Sequence, residues 1–176
     1  MASTPETDST VRTRGRSVLA LILFLVISFA VAAFGGLSTA GNVDGWYAEA
    51  AQPAWTPPNV VFGPVWTVLY TLMSVAAWLV WRTPDSAARG RALRLYVAQL
   101  AVNAIWTPVF FGLEPFLGAP ALWIALVIIV VLDVLVIATI VRFAPLSRLA
   151  AAALVPYALW ALYATTLNAG LAVLNS

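Results

Sequence analysis

Five long apolar stretches, separated by short polar segments, make up most of the chain. A helix needs roughly 20 apolar residues to cross the hydrocarbon core of a bilayer. Proline and charge at 84–85 and 114–115, and proline at 145, separate the later stretches, because both can end a lipid-exposed helix at the interface. The pattern predicts an all-α fold, an integral membrane bundle of five transmembrane helices. The predicted spans are about Ser17 to Leu37, Val60 to Trp81, Leu93 to Gly112, Ala119 to Val141 and Leu149 to Leu174.

The composition supports this prediction and excludes several kinds of catalytic group and metal ligand. Hydrophobic residues make up 62% of the chain and charged residues 9%, whereas a soluble domain has about 25% charged residues. The chain has no cysteine and no histidine, so it offers neither a thiolate nucleophile nor the commonest metal and haem ligands. Every basic side chain is an arginine, which excludes a lysine Schiff base. We therefore predict no metal site, no required cofactor and no conventional acid–base pair.

The arginines predict the orientation of the bundle. All nine lie within residues 12–16, 82–94 and 142–148, which five alternating spans place on one side of the membrane. The positive-inside rule makes that side cytoplasmic, so we expect a cytoplasmic N-terminus and a C-terminus outside. The net charge of +2 then reflects topology, and no nucleic-acid partner is expected.

Residues 1–16 are polar and rich in serine and threonine. They predict a disordered cytoplasmic tail ahead of a transmembrane domain over residues 17–176. The alternative is a cleaved signal peptide, since arginines precede an apolar run and Ala30-Val31-Ala32 resembles a cleavage site. The run is longer than the usual signal-peptide core of roughly 7–15 residues, which favours a retained span.

The first outer loop, residues 38–59, combines proline and large aromatic residues in an unusual density. Prolines restrict its backbone, and aromatic side chains give it an apolar face, so it is predicted to fold as a lid over the bundle. The alternative is that the aromatic residues only anchor the chain at the membrane interface. The residues concerned are Trp46, Tyr47, Pro53, Trp55, Pro57 and Pro58.

Three of the predicted helices carry stripes of aromatic and polar residues at spacings of three and four, which place each stripe on one helix face. Alternating spans bring most of these residues into the outer half of the membrane, under the loop. Aromatic walls with a few polar atoms are typical of a pocket for a flat, mostly apolar molecule, although packing alone is the alternative. The stripes are Phe62, Trp66 and Tyr70; Gln99, Asn103, Trp106 and Phe110; and Tyr157, Trp160, Ala164, Leu167 and Asn168.

Asp133 is the ionisable residue near the middle of a predicted span. Such a residue is a functional candidate because a charge in the bilayer is costly. No basic residue lies at a comparable depth to pair with it. We therefore favour a neutral, hydrogen-bonded carboxyl over a proton relay.

Three segments resemble the signature of the TspO family, the tryptophan-rich translocator proteins. The first runs from the loop into the second span, the second lies in the third span, and the last lies in the fifth. Together they cover most of residues 46–170 in the family's order. The segments contain Trp46-Tyr47, Pro53, Trp55, Pro57-Pro58, Phe62, Pro64-Val65-Trp66-Thr67, Leu69-Tyr70 and Met73; Gln99-Leu100, Asn103, Trp106, Pro108 and Phe110-Phe111-Gly112; and Pro156-Tyr157, Trp160, Tyr163-Ala164 and Leu167-Asn168.

The resemblance implies a five-helix membrane protein, usually a homodimer, that binds porphyrins and other tetrapyrroles among its helices beneath the first loop. In animals the family also binds sterols and benzodiazepine-type ligands. Some members are reported to degrade protoporphyrin in light, with the tryptophans at Trp66 and Trp160 implicated. The positions that match family pocket residues are Trp66, Asn103, Trp106, Trp160, Ala164 and Leu167.

The chain departs from the family pattern in ways that bear on its ligand. Gln52-Pro53 stands where the family commonly has Lys-Pro, so a lysine contact to an acidic propionate is lost. The animal sterol-recognition pattern is absent from residues 167–176. Arg94, Tyr96 and Leu100 fit only the reversed pattern, a weak signal, so sterol binding is not expected.

The resulting hypothesis is an integral membrane protein, in a bacterial cell membrane, that binds porphyrin and senses or regulates its level. The first alternative is an enzyme that degrades protoporphyrin with light and oxygen, with Trp66 and Trp160 as catalytic residues. The second is a transporter of porphyrin or another lipophilic ligand, which the lack of an inverted repeat disfavours. Expected partners are the porphyrin or another flat lipophilic ligand, the lipid bilayer and a second copy of the chain. The predicted ligand-binding residues are Trp46, Tyr47, Trp55, Pro57, Pro58, Phe62, Trp66, Tyr70, Asn103, Trp106, Phe110, Tyr157, Trp160, Ala164, Leu167 and Asn168.

The orientation can be tested with a reporter fused after Ser176. Because all nine arginines share one side, the fusion should be active only when the reporter works outside the cytoplasm. Alkaline phosphatase and a cytoplasm-dependent fluorescent protein form a suitable pair of reporters. A cytoplasmic C-terminus would contradict the orientation.

Overall fold

Five long helices form the bundle in a computed structural model that describes the backbone of residues 6–176 and the side chains of residues 14–176. Every regular element in this part of the chain is helical, and all five long helices are apolar enough to cross a membrane. The all-α prediction and the five predicted spans are therefore confirmed. The long helices are α1 (Glu6–Thr39), α3 (Phe62–Trp81), α4 (Ala87–Thr107), α6 (Ala119–Phe143) and α7 (Arg148–Leu174).

Short elements join the long helices at the end of the bundle where residues 40–58 lie, which we call the loop end. These are α2 (Trp46–Glu49), a 3₁₀ turn (Asn59–Val61), a π-helical turn (Pro108–Gly112) and α5 (Glu114–Leu117). At the opposite, arginine end, serine hydroxyls cap two helices. The Ser86 Oγ accepts the N–H of Arg89 at the start of α4, and the Ser147 Oγ accepts that of Ala150 at the start of α7.

The structure differs from the predicted disordered tail at residues 6–16, which it describes as the first turns of α1. Polar residues can continue a helix, because each turn satisfies its own backbone groups, and α1 contains no proline to interrupt it. Residues 1–5 of the predicted tail lie outside the described residues.

Small side chains allow the helices to pack closely. Ala76 and Ala77 of α3 and Ala150, Ala161 and Ala172 of α7 are almost fully buried. Helix association in a bilayer depends on this close approach, since lipid supplies no hydrophobic driving force. Large aliphatic side chains point outward instead, most clearly on α1. The apolar exterior is what a lipid-facing bundle requires.

Proline shapes the end of α4. Pro108 has no N–H to donate, and the regular helix ends at Thr107. The following π-helical turn widens the backbone and carries Phe110 and Phe111. This turn brings two consecutive aromatic residues to the loop end.

Candidate functional site

An aromatic cavity of about 220 Å³ lies at the loop end of the bundle. Its walls come from α1, the loop, α3, α4 with its π-helical turn, and α7. Predicted binding residues from the loop and from all three stripes line it. They are Tyr47, Phe62, Trp66, Tyr70, Trp106, Phe110, Trp160, Ala164, Leu167 and Asn168.

The aromatic rings of the cavity pack against one another in two groups. On the α4 side, the rings of Trp106 and Phe110 stack with centroids 5.1 Å apart. On the α3 and α7 side, the ring of Phe62 meets that of Trp160 edge-on at 5.8 Å, while the rings of Trp66 and Tyr70 lie 5.3 Å apart. Contacts of this kind hold the rings in fixed orientations, so the cavity has preformed apolar faces.

A buried hydrogen-bonded triad lies behind the cavity. The Tyr70 hydroxyl donates to the Asn103 Oδ1 over 2.8 Å, and the Asn103 Nδ2 donates to the Tyr157 hydroxyl over 2.9 Å. Asn103 and Tyr157 do not line the cavity, although both were predicted to bind ligand. Tyr157 instead packs against the ring of Trp66 at 6.3 Å. The triad therefore orients Tyr70 and supports Trp66.

The two indoles on either side of the cavity differ in how their N–H groups are satisfied. The Trp106 Nε1 donates to the Asn168 Oδ1 over 3.3 Å, and the Asn168 Nδ2 donates to the Leu122 carbonyl over 2.9 Å. The Trp160 Nε1 is also buried but has no acceptor among the described residues. An unpaired donor in a buried site costs about 1–3 kcal/mol.

The loop covers the cavity with only some of its predicted residues. Tyr47 lines the cavity and is 6% exposed. Burial raises the pKa of the Tyr47 phenol, and the nearby Tyr163 raises it further, so the phenol is neutral at ordinary pH. Trp46 packs behind the cavity, where its Nε1 donates to the Phe111 carbonyl over 2.9 Å.

The other three predicted loop residues also lie outside the cavity lining. Trp55 is 53% exposed, and its carbonyl accepts the Tyr163 hydroxyl over 2.7 Å. Pro57 and Pro58 precede the 3₁₀ turn that begins at Asn59, and Asn59 does line the cavity. These residues shape and fasten the loop without reaching the cavity.

Sequence reasoning missed the wall that α1 provides. This helix lacks an aromatic stripe at its loop end, and its contribution is a set of small residues that leave space. Gly35-Gly36 is the signal that could have indicated it, since adjacent glycines inside a helix usually mark a close approach or a gap. The missed lining residues are Ala32, Gly35, Gly36, Thr39, Val43, Asn59, Thr107, Phe111 and Leu171.

Asp133 lies between α6 and α7, away from the cavity lining. It is 7% exposed, and its Oδ2 accepts the Thr165 hydroxyl over 2.8 Å. Its Oδ1 has no partner, and the one salt bridge in the described part of the chain joins Arg89 to Asp85 at the arginine end. The described residues also contain no cluster of three or more potential metal ligands among Asp, Glu, His and Cys.

Five membrane-spanning helices around an aromatic cavity under a folded loop define a membrane protein with a candidate site for an apolar ligand. The sequence model of the TspO/MBR family matches residues 23–174. The chain is 36% identical to the Tryptophan-rich protein TspO of Archaeoglobus fulgidus, over 91% of this chain and 99% of the relative.

Two further relatives extend the comparison. Identity is 42% to the Tryptophan-rich sensory protein of Cereibacter sphaeroides, over 78% of this chain and 84% of the relative. The human Translocator protein is 39% identical, with 70% of each chain covered. This chain belongs to the TspO/MBR family, as its sequence motifs indicated.

Replacing Asn103 by Leu tests the buried triad. The substitution removes two hydrogen bonds and leaves the hydroxyls of Tyr70 and Tyr157 unpaired, so the free energy of unfolding should fall by about 1–3 kcal/mol. Thermal denaturation in detergent measures the loss. Thr166→Val is the control, because that hydroxyl is exposed and bonds only within α7. Equal destabilisation by both variants would contradict a supporting role for the triad.

Proposed function

We propose that this protein binds a porphyrin in the aromatic cavity at the loop end and thereby senses or regulates porphyrin levels in its membrane. The observation that carries the proposal is that Trp160, whose buried Nε1 has no acceptor among the described residues, lines a cavity walled by aromatic rings. Flat aromatic faces suit a macrocycle, and the indole N–H suits an acceptor at its edge. A peripheral carboxylate of the porphyrin would supply that acceptor.

Composition predicts how a porphyrin would be held. The chain has no cysteine or histidine, and Met73 is fully buried and outside the cavity lining. A metal at the centre of the macrocycle would therefore lack its commonest protein ligands. Stacking and shape would provide the affinity, so the free-base porphyrin should bind about as well as haem.

The size of the cavity indicates that it must enlarge to hold a porphyrin. Pockets for drug-sized ligands usually measure about 300–1,000 Å³. The cavity here is smaller, at about 220 Å³, and a tetrapyrrole is at least drug-sized. Since Val43 and Tyr47 form part of the lining, we expect residues 40–58 to shift when the ligand enters.

We also propose the location and assembly that the sequence predicts. The protein would lie in a bacterial cell membrane with the arginine end in the cytoplasm and the loop end outside. It would act as a homodimer, as the family resemblance implies. In that orientation a porphyrin reaches the cavity from outside or from the outer leaflet.

A second candidate function is the oxidative degradation of protoporphyrin in light. It is favoured by one observation, that both Trp66 and Trp160 line the cavity and would contact a bound macrocycle. Light-excited porphyrin and molecular oxygen would be the co-reactants. Titrations performed in the dark and under illumination separate this activity from binding alone.

Trp160→Phe tests the proposed site. The substitution removes the indole N–H and part of the π-surface, so binding should weaken by about 0.5–1.5 kcal/mol, or roughly three- to twelvefold. An absorbance titration with protoporphyrin in lipid nanodiscs, kept in the dark, measures the affinity. Trp66→Phe should give a loss of the same order through its aromatic surface.

Trp81→Phe is the matched control, because Trp81 lies at the arginine end of α3 and does not line the cavity. The Trp81→Phe variant should bind protoporphyrin with the same affinity as the unmodified protein. Similar losses at positions 66, 81 and 160 would indicate general destabilisation and contradict the proposed site.

A further inference from the structure

The second half of the loop is fastened to the loop end of α7 by a side chain that pairs with backbone. The Ala51 N–H donates to the Asn175 Oδ1 over 2.9 Å, and the Asn175 Nδ2 donates back to the Ala51 carbonyl over 3.1 Å. The same Nδ2 donates to the Leu171 carbonyl over 2.8 Å, which fixes the amide against α7. One side chain thus satisfies both backbone groups of a loop residue.

Gly170 lets the loop pack directly on the backbone of α7. A Cβ at this position would lie 2.6 Å from the Pro53 Cγ and 3.3 Å from the Trp55 ring. Real Cβ atoms essentially never approach so closely, so any larger residue would displace Pro53. Pro53 is buried, as expected where the loop packs against the helix.

A third contact lies seven residues earlier on α7. Tyr163 donates its hydroxyl to the Trp55 carbonyl over 2.7 Å. Positions 163 and 170 are about two helical turns apart, so they lie on the same face of α7. Tyr163, Gly170 and Asn175 therefore hold one continuous stretch of loop, residues 51–55.

We propose that Tyr163, Gly170 and Asn175 form a latch that holds the loop closed and sets the rate at which ligand enters and leaves the cavity. The ligand-exchange part rests on the proposed function. None of the three residues lines the cavity, whereas Val43 and Tyr47 of the same loop do. The latch residues are thus positioning residues, and weakening them should change the rates of binding and release more than the affinity.

Thiol labelling measures loop opening without any ligand. The chain has no cysteine, so Ala164→Cys introduces a single thiol into the cavity lining, at a position only 8% exposed. Adding Asn175→Ala, Gly170→Ala or Tyr163→Phe should raise the labelling rate by a small maleimide. For Asn175→Ala we expect about a tenfold rise, which corresponds to about 1.4 kcal/mol.

Gly90→Ala is the matched control for Gly170→Ala. Gly90 lies at the arginine end of α4, and a Cβ there would meet nothing within 4 Å. The protein with both Ala164→Cys and Gly90→Ala should be labelled at the same rate as the protein with Ala164→Cys alone. Thermal denaturation of each variant confirms folding, and Tyr163→Phe, which removes only a hydroxyl, serves if Gly170→Ala does not fold.

Stopped-flow mixing with protoporphyrin forms the second arm. In Asn175→Ala the association and dissociation rates should both rise by a similar factor, with the Kd changed less than about twofold, a ratio worth about 0.4 kcal/mol. Unchanged labelling in Asn175→Ala and Tyr163→Phe would overturn the latch. Faster labelling without any porphyrin binding would support the latch as the fastening of the loop and would overturn the proposed ligand.

Discussion

The interior of this bundle depends on a single requirement, that polar groups within the bilayer find partners inside the protein. Asn103 meets it by joining the hydroxyls of Tyr70 and Tyr157, which places three helices in register. Asn168 meets it by joining Trp106 to the backbone of α6. The buried indole of Trp160 is an exception, as are the Gln99 Oε1 and the Asp133 Oδ1, none of which has a partner among the described residues. Of these three residues, only Trp160 lines the cavity.

Packing explains why the aromatic residues collect at one end. Along the helix contacts, alanine and serine allow close approach, as at Ser74, Ala76 and Ala77 of α3. At the loop end, Gly35 and Gly36 of α1 leave the space that a side chain would occupy, the π-helical turn Pro108–Gly112 widens the backbone, and large rings fill the space incompletely. The cavity is thus the consequence of small residues on one wall and rings on the others. The loop beside it is fastened to α7 by hydrogen bonds from Asn175 and Tyr163.

Periodicity makes the local features of this fold predictable from sequence, whereas contacts between distant segments are missed. The five spans and the stripe of Phe62, Trp66 and Tyr70 can be derived from spacing alone. Phe111 was missed because a π-helical turn breaks the helical spacing that selected Phe110. The pairing of Asn175 with Ala51 joins residues 124 positions apart, and no local pattern encodes it. The wall that α1 provides was missed because it consists mostly of small residues that leave space, so no pattern of large side chains marks it.

The central claim is that the Trp160 N–H binds an acceptor at the edge of a porphyrin, and a thermodynamic cycle tests it most directly. Protoporphyrin carries peripheral carboxylates and etioporphyrin carries none, so each is titrated in the dark against the unmodified protein and Trp160→Phe. We predict that loss of the carboxylates weakens binding to the unmodified protein by about 0.5–1.5 kcal/mol, the net range for a typical hydrogen bond. In Trp160→Phe the two porphyrins should bind almost equally. Equal effects of the carboxylates in both proteins would contradict the claim.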